Sequence, residues 1–263
     1  MVWSMRVVPE IDISLTAISP RIARLAPVIT SLLAQDPAPA RVLIHLSRGP
    51  YLLDEGISDL PAALAALVDG VRVQVIWVEN TGPYRKILPW AAQNAGTDRW
   101  VVTADDDTAY PPGWLARLVA GRLSTGAVTA WSGHPIVVRR GAVAGYGRWF
   151  GAALPDGPAL RVLPIGKDGV LYSGRDFPPE MLDIATAQAI APTADDLWLR
   201  WHMARAGVRA QVVGQGVALP EVATGGPSLW RAFNRGGGND AVVAALEAHF
   251  AATHGWTMGA AAD

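Results

Sequence analysis

Arg99-Trp-Val-Val-Thr-Ala-Asp105-Asp106-Asp107-Thr-Ala-Tyr-Pro-Pro112 is a short apolar run that ends in three consecutive carboxylates. The run Trp100–Ala104 has the length and residue types of a buried strand. Three adjacent carboxylates repel one another, so a buried strand ends in them only where something neutralises the charge. A divalent cation that also holds a ligand phosphate would do so, because Mg²⁺-type ions combine a few carboxylates with substrate phosphate oxygens. In open α/β sheets such ligands lie outside the carboxyl ends of the strands. The competing structural reading is a solvated turn or a helix cap before Pro111, since aspartate favours both. The apolar run before the triplet and Tyr-Pro-Pro-Gly-Trp after it favour a site.

Outward from this strand, residues 11 to 120 read as strands alternating with helices, the pattern of a parallel sheet. Alternation predicts a first strand over Ile11-Asp-Ile-Ser-Leu-Thr-Ala-Ile18. Ser19-Pro20 reads as an N-cap with proline opening a helix whose stripe is Ile22, Leu25, Ile29, Leu32 and Leu33. Pro27 interrupts that stripe. Val42–Leu46 and the run from Val71 to Val78 predict strands two and three. Helices are expected around Leu60 to Val68, Tyr84 to Asn94, and from Pro111 onward. After Ala127 the texture changes to short strands, at Val128-Thr-Ala-Trp131 and Ile136-Val-Val-Arg-Arg140, and a glycine-rich loop from Gly141 to Gly174. A helix from Ala194 to Ala206, a strand at Ala210-Gln-Val-Val213 and a helix from Asp240 to Thr253 complete the chain. The expectation is an α/β chain forming a single domain over residues 1–263. One continuous, mostly parallel mixed sheet joins a nucleotide half (11–126) to an acceptor half (127–263).

Composition sets the outer bounds. Of the 263 residues, 51% are hydrophobic and 17% charged, so the chain can bury a core and does not read as disordered. A net charge of −1 argues against a nucleic-acid partner. The absence of cysteine excludes disulfides and thiolate zinc sites. No apolar run reaches the roughly 18 residues of a membrane span. Met1-Val-Trp-Ser-Met-Arg6 lacks the basic-then-apolar order of a secretion signal, so a cytoplasmic location is expected. Alanine, arginine and glycine usage has a bacterial character. The 11 tryptophans read first as packing residues and second as faces for sugar rings.

Four further segments bear on chemistry. Asn80-Thr-Gly-Pro-Tyr-Arg-Lys86 follows the third strand, so Lys86 or Arg85 can meet a phosphate or nucleotide in the same crevice. A basic pair on an exposed helix start is the equally weighted alternative. In Thr193-Ala-Asp195-Asp196-Leu-Trp-Leu-Arg-Trp201, Thr193 and Asp196 match a capping box, with Leu197, Trp201 and Ala204 as a stripe. A carboxylate at a helix N-terminus is expected to stay ionised, and Asp196 could then take a proton from a hydroxyl. Gly166-Lys-Asp-Gly169-Val-Leu-Tyr172 allows close backbone approach to a ligand, or is a plain turn. Arg231 and Arg235, beside a glycine run ending at Gly238, suggest a flexible loop closing on a diphosphate, against an ordinary exposed loop. His249 and His254 read as surface residues or as completing a metal shell.

The ordered set Thr16-Ala-Ile-Ser-Pro-Arg21, Gly82-Pro-Tyr-Arg-Lys86, Asp105-Asp-Asp107-Thr-Ala-Tyr-Pro-Pro-Gly-Trp114, Gly169-Val-Leu-Tyr172 and Ala194-Asp-Asp-Leu-Trp198 resembles bacterial family-2-like glycosyltransferases of the GT-A fold. It is also similar to exostosin-type hexosaminyltransferase domains. The resemblance implies a metal-dependent enzyme that moves a sugar from a nucleotide-sugar, a UDP-sugar first among them, to an acceptor hydroxyl. It implies Thr16 and Arg21 at the base or diphosphate and Lys86 on the nucleotide or phosphate. Asp105 would sit near the ribose or donor sugar; Asp106, Gly169, Arg231 and Arg235 are added to the donor site from the reading of their own segments. Asp107 would bind Mn²⁺ or Mg²⁺ as the last acid of an Asp-x-Asp motif. Asp195-Asp196 stands where the family has Glu-Asp, with Asp196 as base. A base opposite the leaving diphosphate implies inversion, whereas exostosin-type enzymes retain configuration with a similar acidic pair.

The acceptor implied is a glycan, a glycolipid or a small molecule, with peripheral membrane contact expected only for a lipid-linked one. Two other readings stay open. A sugar nucleotidyltransferase shares the α/β nucleotide domain, although Ser19-Pro20-Arg21 lacks the glycines of its usual first loop. A non-catalytic nucleotide- or metal-binding module would use the triplet as a structural ion site.

Overall fold

The computed structural model describes residues 8–215, 217–223 and 227–261. The Met1–Arg6 segment considered above lies outside the described residues. In chain order the strands are β1 (Ile11–Thr16), β2 (Arg41–Leu46), β3 (Val73–Trp77), β4 (Trp100–Ala104), β5 (Val128–Ala130), β6 (Gly133–Pro135), β7 (Val138–Arg139), β8 (Ala142–Val143), β9 (Val162–Pro164), β10 (Val170–Ser173) and β11 (Ala210–Val212). The helices are α1 (Leu25–Leu33), α2 (Ala62–Ala65), α3 (Leu88–Asn94), α4 (Trp114–Thr125), α5 (Ile184–Ile190), α6 (Asp195–Arg205) and α7 (Gly238–His254).

The central sheet runs β11-β5-β10-β4-β1-β2-β3. β1 pairs parallel with β2 and β4, and β2 with β3. β10 enters antiparallel between β4 and β5, and β11 is parallel to β5. This mostly parallel mixed sheet is the α/β, GT-A-like arrangement expected from the sequence. The antiparallel insertion of β10 joins the two halves. Pairs β6–β9 and β7–β8 lie outside it.

Helices cover both faces. One core packs α1 and α4 against Ile11, Ile13, Leu15, Val102 and Ala104. The other packs α3, α6 and α7 against Val101, Val128 and Tyr172. Burial on both faces changes the meaning of the alternation in β1. Its polar residues Asp12 and Ser14 are fully buried. Asp12 accepts from Arg41 Nε (2.8 Å), Arg41 Nη2 (2.6 Å) and Trp90 Nε1 (2.9 Å). Burial opposes its charge, but these bonds and the charges of Arg41 and Arg99 hold its carboxyl below the usual range.

Several local expectations shift. Ser19 does not cap α1, which starts at Leu25 after a 3₁₀ turn at Ile22–Arg24. Instead its N–H donates to Asp54 Oδ1 and its hydroxyl accepts from Glu55 N–H. Pro27 falls in the first turn of α1, where its missing N–H has no intrahelical partner to lose. The helix expected over Leu60 to Val68 is the short α2, and the one expected from Tyr84 divides into a 3₁₀ turn at Gly82–Lys86 followed by α3. Of the strand expected at Ile136–Arg140 only Val138–Arg139 forms one, β7, and β6 at Gly133–Pro135 precedes it.

Candidate active site

Every strand that builds the site delivers it at its carboxyl end. β4 ends at Ala104 and releases Asp105-Asp106-Asp107 into a turn. The turn alternates in exposure: the side chains of Asp105 and Asp107 are 25% and 21% exposed, while that of Asp106 is 8% exposed. It is clamped from several sides. Asp105 N–H donates to the Tyr110 hydroxyl (2.8 Å), which donates to Lys167 O (2.9 Å). Val222 N–H donates to Asp107 O (2.7 Å), and Ala109 N–H to Pro220 O (2.9 Å).

Two cations answer the charge of the triplet. Arg21, from the loop after β1, donates through Nη1 to Asp106 Oδ1 (2.8 Å) and Asp107 Oδ2 (3.0 Å). Its Nη2 donates to Pro227 O (2.6 Å). Lys86, from the loop after β3, pairs with Asp105. Burial and the neighbouring Asp105 still push Asp107 up. Burial raises Asp106 to about 6 despite Arg21.

Lys86 also faces Asp195 and Asp196, the first two residues of α6. Burial works against its ammonium, but Asp105, Asp195 and Asp196 outweigh burial and hold its pKa above the ordinary lysine range. The three segments are fastened to one another. Ser14 Oγ of β1 donates to Lys86 O (2.5 Å). The Tyr84 hydroxyl donates to Ala191 O (2.7 Å), tying the β3 loop to the approach of α6.

Asp196 is held differently from the expected capping box. The N-cap of α6 is Ala194, without a side-chain bond, and Thr193 Oγ1 donates to Asn234 Oδ1. Both carboxylate oxygens of Asp196 accept from Gly166 N–H (3.2 Å each). A Cβ on Gly166 would stand 2.8 Å from Asp196 Oδ1, so this approach needs glycine. The expectation that the helix dipole keeps Asp196 ionised is corrected. Burial, then the Asp195 charge, lifts Asp196 to about 8. A helix N-terminus contributes about 0.3–1 kcal/mol, less than the roughly 1.4 kcal/mol of one pKa unit. It cannot offset a buried like-charged neighbour. α6 is also buried around its whole circumference rather than along the predicted stripe.

The remaining predicted residues separate. Thr16 Oγ1 donates to His45 O (2.7 Å) at the carboxyl end of β1. Gly169 has φ +104°, and a Cβ there would stand 2.3 Å from the Trp114 ring, so its close approach is to the protein's own core. Arg85 is buried with Asp54 (2.6 Å), a structural hub that sequence reading missed. Arg231 and Arg235 are exposed. The glycines after them form a built turn, with Gly236 and Gly237 at positive φ and a Gly238 Cβ only 1.9 Å from Phe233 O. His249 and His254 pack against Phe250, and His249 against Trp198, away from the aspartates. Gly166, Tyr110 and Tyr84 stand in segments the sequence singled out, but nothing local in those segments pointed to their bonds with Asp196, Asp105 and Ala191.

The carboxylates of Asp105 and Asp107 are hard oxygen donors suited to Mg²⁺ or Mn²⁺. Among the described residues no group of three or more His, Asp or Glu side chains is arranged to hold an ion. Arg21 and Lys86 occupy these carboxylates, so an ion would bind by replacing protein cations. No described helix is long and apolar enough to cross a membrane.

No family model matches the chain, and no curated protein matches it. Solved structures do. Glucosyl-3-phosphoglycerate synthase from Mycobacterium tuberculosis in complex with Mn²⁺, UDP and phosphoglyceric acid aligns at 23% identity over 46% of this chain and 42% of that one, with a TM-score of 0.32. The same enzyme with phosphoglyceric acid aligns at 19% identity over 91% and 79%, with a TM-score of 0.45. The inositol-1-phosphate CTP transferase from T. maritima aligns at 10% identity over 78% and 85%, with a TM-score of 0.42. Likeness at this level leaves function to be argued from the site.

Proposed function

We propose that this protein is a glycosyltransferase that moves a sugar from a nucleotide-sugar, a UDP-sugar first among the candidates, to an acceptor hydroxyl with inversion. The observation behind this reading is one polar cluster at the carboxyl ends of β1, β3 and β4. In it Lys86 lies between Asp105 and the Asp195–Asp196 pair, and Arg21 lies on Asp106 and Asp107.

In this reading Arg21 and Lys86 exchange carboxylate partners for the donor's diphosphate, and Asp105 and Asp107 are freed to take a divalent cation. Mn²⁺ or Mg²⁺ bound there would neutralise charge on the diphosphate as it leaves. Asp196 keeps a partly exposed edge, while Gly166 N–H fixes its orientation. The acceptor oxygen forms a bond to the anomeric carbon and the bond to the diphosphate breaks. The acceptor proton passes to Asp196, and the nucleoside diphosphate leaves with the electron pair. A carboxyl lifted toward neutrality is a stronger base than an ordinary aspartate, which suits this transfer. Asp195 shares the buried charge and keeps Asp196 basic.

Melting temperatures with UDP, GDP, dTDP and CMP, each with and without Mn²⁺, test the reading. A ligand at about 100 times its dissociation constant adds roughly 2.7 kcal/mol to the folded state. The expected result is a Mn²⁺-dependent shift with UDP that is lost in Asp107→Ala. No shift with any nucleotide sinks the proposal. Pyrophosphate release from CTP or UTP with a sugar phosphate would replace it with nucleotidyl transfer.

A further inference from the structure

Seven of the 11 tryptophans are buried in the core, Trp90, Trp100, Trp114, Trp131, Trp149, Trp198 and Trp201. Trp230 is not. It is 40% exposed and belongs to an aromatic group with Phe150, itself 47% exposed, and with Tyr146 and His134. The ring centroids are close: His134 to Phe150 4.6 Å, Tyr146 to Phe150 5.5 Å, Tyr146 to Trp230 6.1 Å. Tyr146 rests on Trp149 beneath it (4.8 Å). The group is assembled from three separate chain segments.

Its position is set by hydrogen bonds to the start of α6. Trp230 lies in a single π-helical turn, Trp230–Asn234. Asn234 closes that turn onto Thr193 by two bonds, Thr193 Oγ1 to Asn234 Oδ1 (2.7 Å) and Asn234 Nδ2 to Thr193 O (2.9 Å). Thr193 stands three residues before Asp196. On the other side, Tyr146 N–H donates to Asp240 Oδ1 (2.7 Å) of α7. The Asp196 charge reaches the Tyr146 hydroxyl, which burial in the first place and that charge in the second push up to about 12. Asn239, beside the Tyr146 hydroxyl, is buried and its Oδ1 has no hydrogen-bond partner.

We propose that His134, Tyr146, Phe150 and Trp230 form the acceptor subsite, and that the acceptor presents a carbohydrate ring to it. The inference rests on the transferase reading, because it uses Asp196 as the group that faces the acceptor. A pyranose has an apolar C–H face and a polar rim. The shelf matches both, with exposed Phe150 and Trp230 rings for the face and the Tyr146 and His134 polar atoms for the rim. The polar atoms of His134 and Tyr146 among the rings favour a sugar, since a lipid chain would leave them without hydrogen-bond partners.

The test is saturation-transfer NMR with methyl pyranosides of glucose, mannose, galactose and N-acetylglucosamine. It uses the wild type and a Phe150→Ala/Trp230→Ala double variant, both saturated with UDP and Mn²⁺. At least one pyranoside should receive saturation on the protons of one ring face. Its affinity should fall about tenfold in the double variant. The variant should keep the wild-type UDP–Mn²⁺ melting shift, which certifies fold and donor site together. If no pyranoside binds the wild type, or binding survives in the variant, the subsite assignment is overturned. Flotation of the wild type, but not the variant, with vesicles of anionic phospholipid would overturn it in favour of membrane docking. Absence of a melting shift in the wild type with UDP, GDP, dTDP and CMP alike would instead sink the transferase reading, whatever the sugars do.

Discussion

The two acidic runs of this protein differ in how their charge is answered. Asp105–Asp107 leaves a strand and meets two protein cations, Arg21 on Asp106 and Asp107 and Lys86 on Asp105. Asp195–Asp196 opens a helix and shares Lys86 with the first run, with the N–H of Gly166 as further support. Burial lifts both runs, and the charges set how far: Asp106, with Arg21 opposing burial, rises to about 6, and Asp196, with the Asp195 charge adding to burial, rises to about 8. A run balanced by cations is ready to exchange them for other cations or phosphates. A run left short of positive charge is ready to take a proton.

Lys86 belongs to both runs, so removing it should do the most damage. Lys86→Met leaves buried carboxylates without their cation, and loss of one partner of a buried pair destabilises by about 3–5 kcal/mol. Urea titration should recover part of this loss when Asp196→Asn is added, because the two groups are coupled. Full additivity would break the idea that Lys86 serves the second run.

Asp196→Asn separates chemistry from stability. Transfer should fall about 10²- to 10⁴-fold, the usual range for a lost general base. Stability should move the other way. The folded protein holds Asp196 protonated up to about pH 8, whereas the unfolded chain ionises near the ordinary value. The stabilisation is therefore complete in acid and drains away as pH rises toward 8. The variant's advantage in melting temperature should grow over that interval, and wild-type transfer should rise with pH through the same window. A flat melting difference from pH 5 to 9 would mean that the second run is not short of charge.

Gly169→Ala tests whether that turn serves the core. The new Cβ meets Trp114, and overpacking of this kind destabilises by about 1–3 kcal/mol. The surviving folded fraction should bind UDP with unchanged affinity in isothermal titration, and a weakened affinity would return Gly169 to the donor site. Tyr84→Phe is the mildest change. It removes the bond to Ala191 O, worth about 0.5–1.5 kcal/mol, and should lower kcat more than it raises KM for the donor. An unchanged kcat would show that this tie does not position α6.

The core strands were legible because hydrophobic patterning and length are local properties. β4 was read to its ends, and β2 to within one residue. Partial charge balance was legible too: strand ends put Lys86 in one crevice with Asp105 and Asp107, and the family resemblance added the Asp195–Asp196 pair at the start of a helix. Partner choice was not. Arg21 reaches Asp106 across 85 residues and Tyr84 reaches Ala191 across 107. Ser19 and Thr193 looked like caps because capping is a local rule, yet each found a tertiary partner instead.

The order of strands and helices, the sign of each charge and its place at a strand end are written in the chain, since they depend on neighbours a few residues away. The burial of Asp12 and Ser14 on a strand that alternates, the role of Gly166 as donor to Asp196, and the rise of Asp196 to about 8 came from the packed molecule. Each depends on desolvation and on which charges end up within a few ångströms. Those quantities exist only once distant segments have come together.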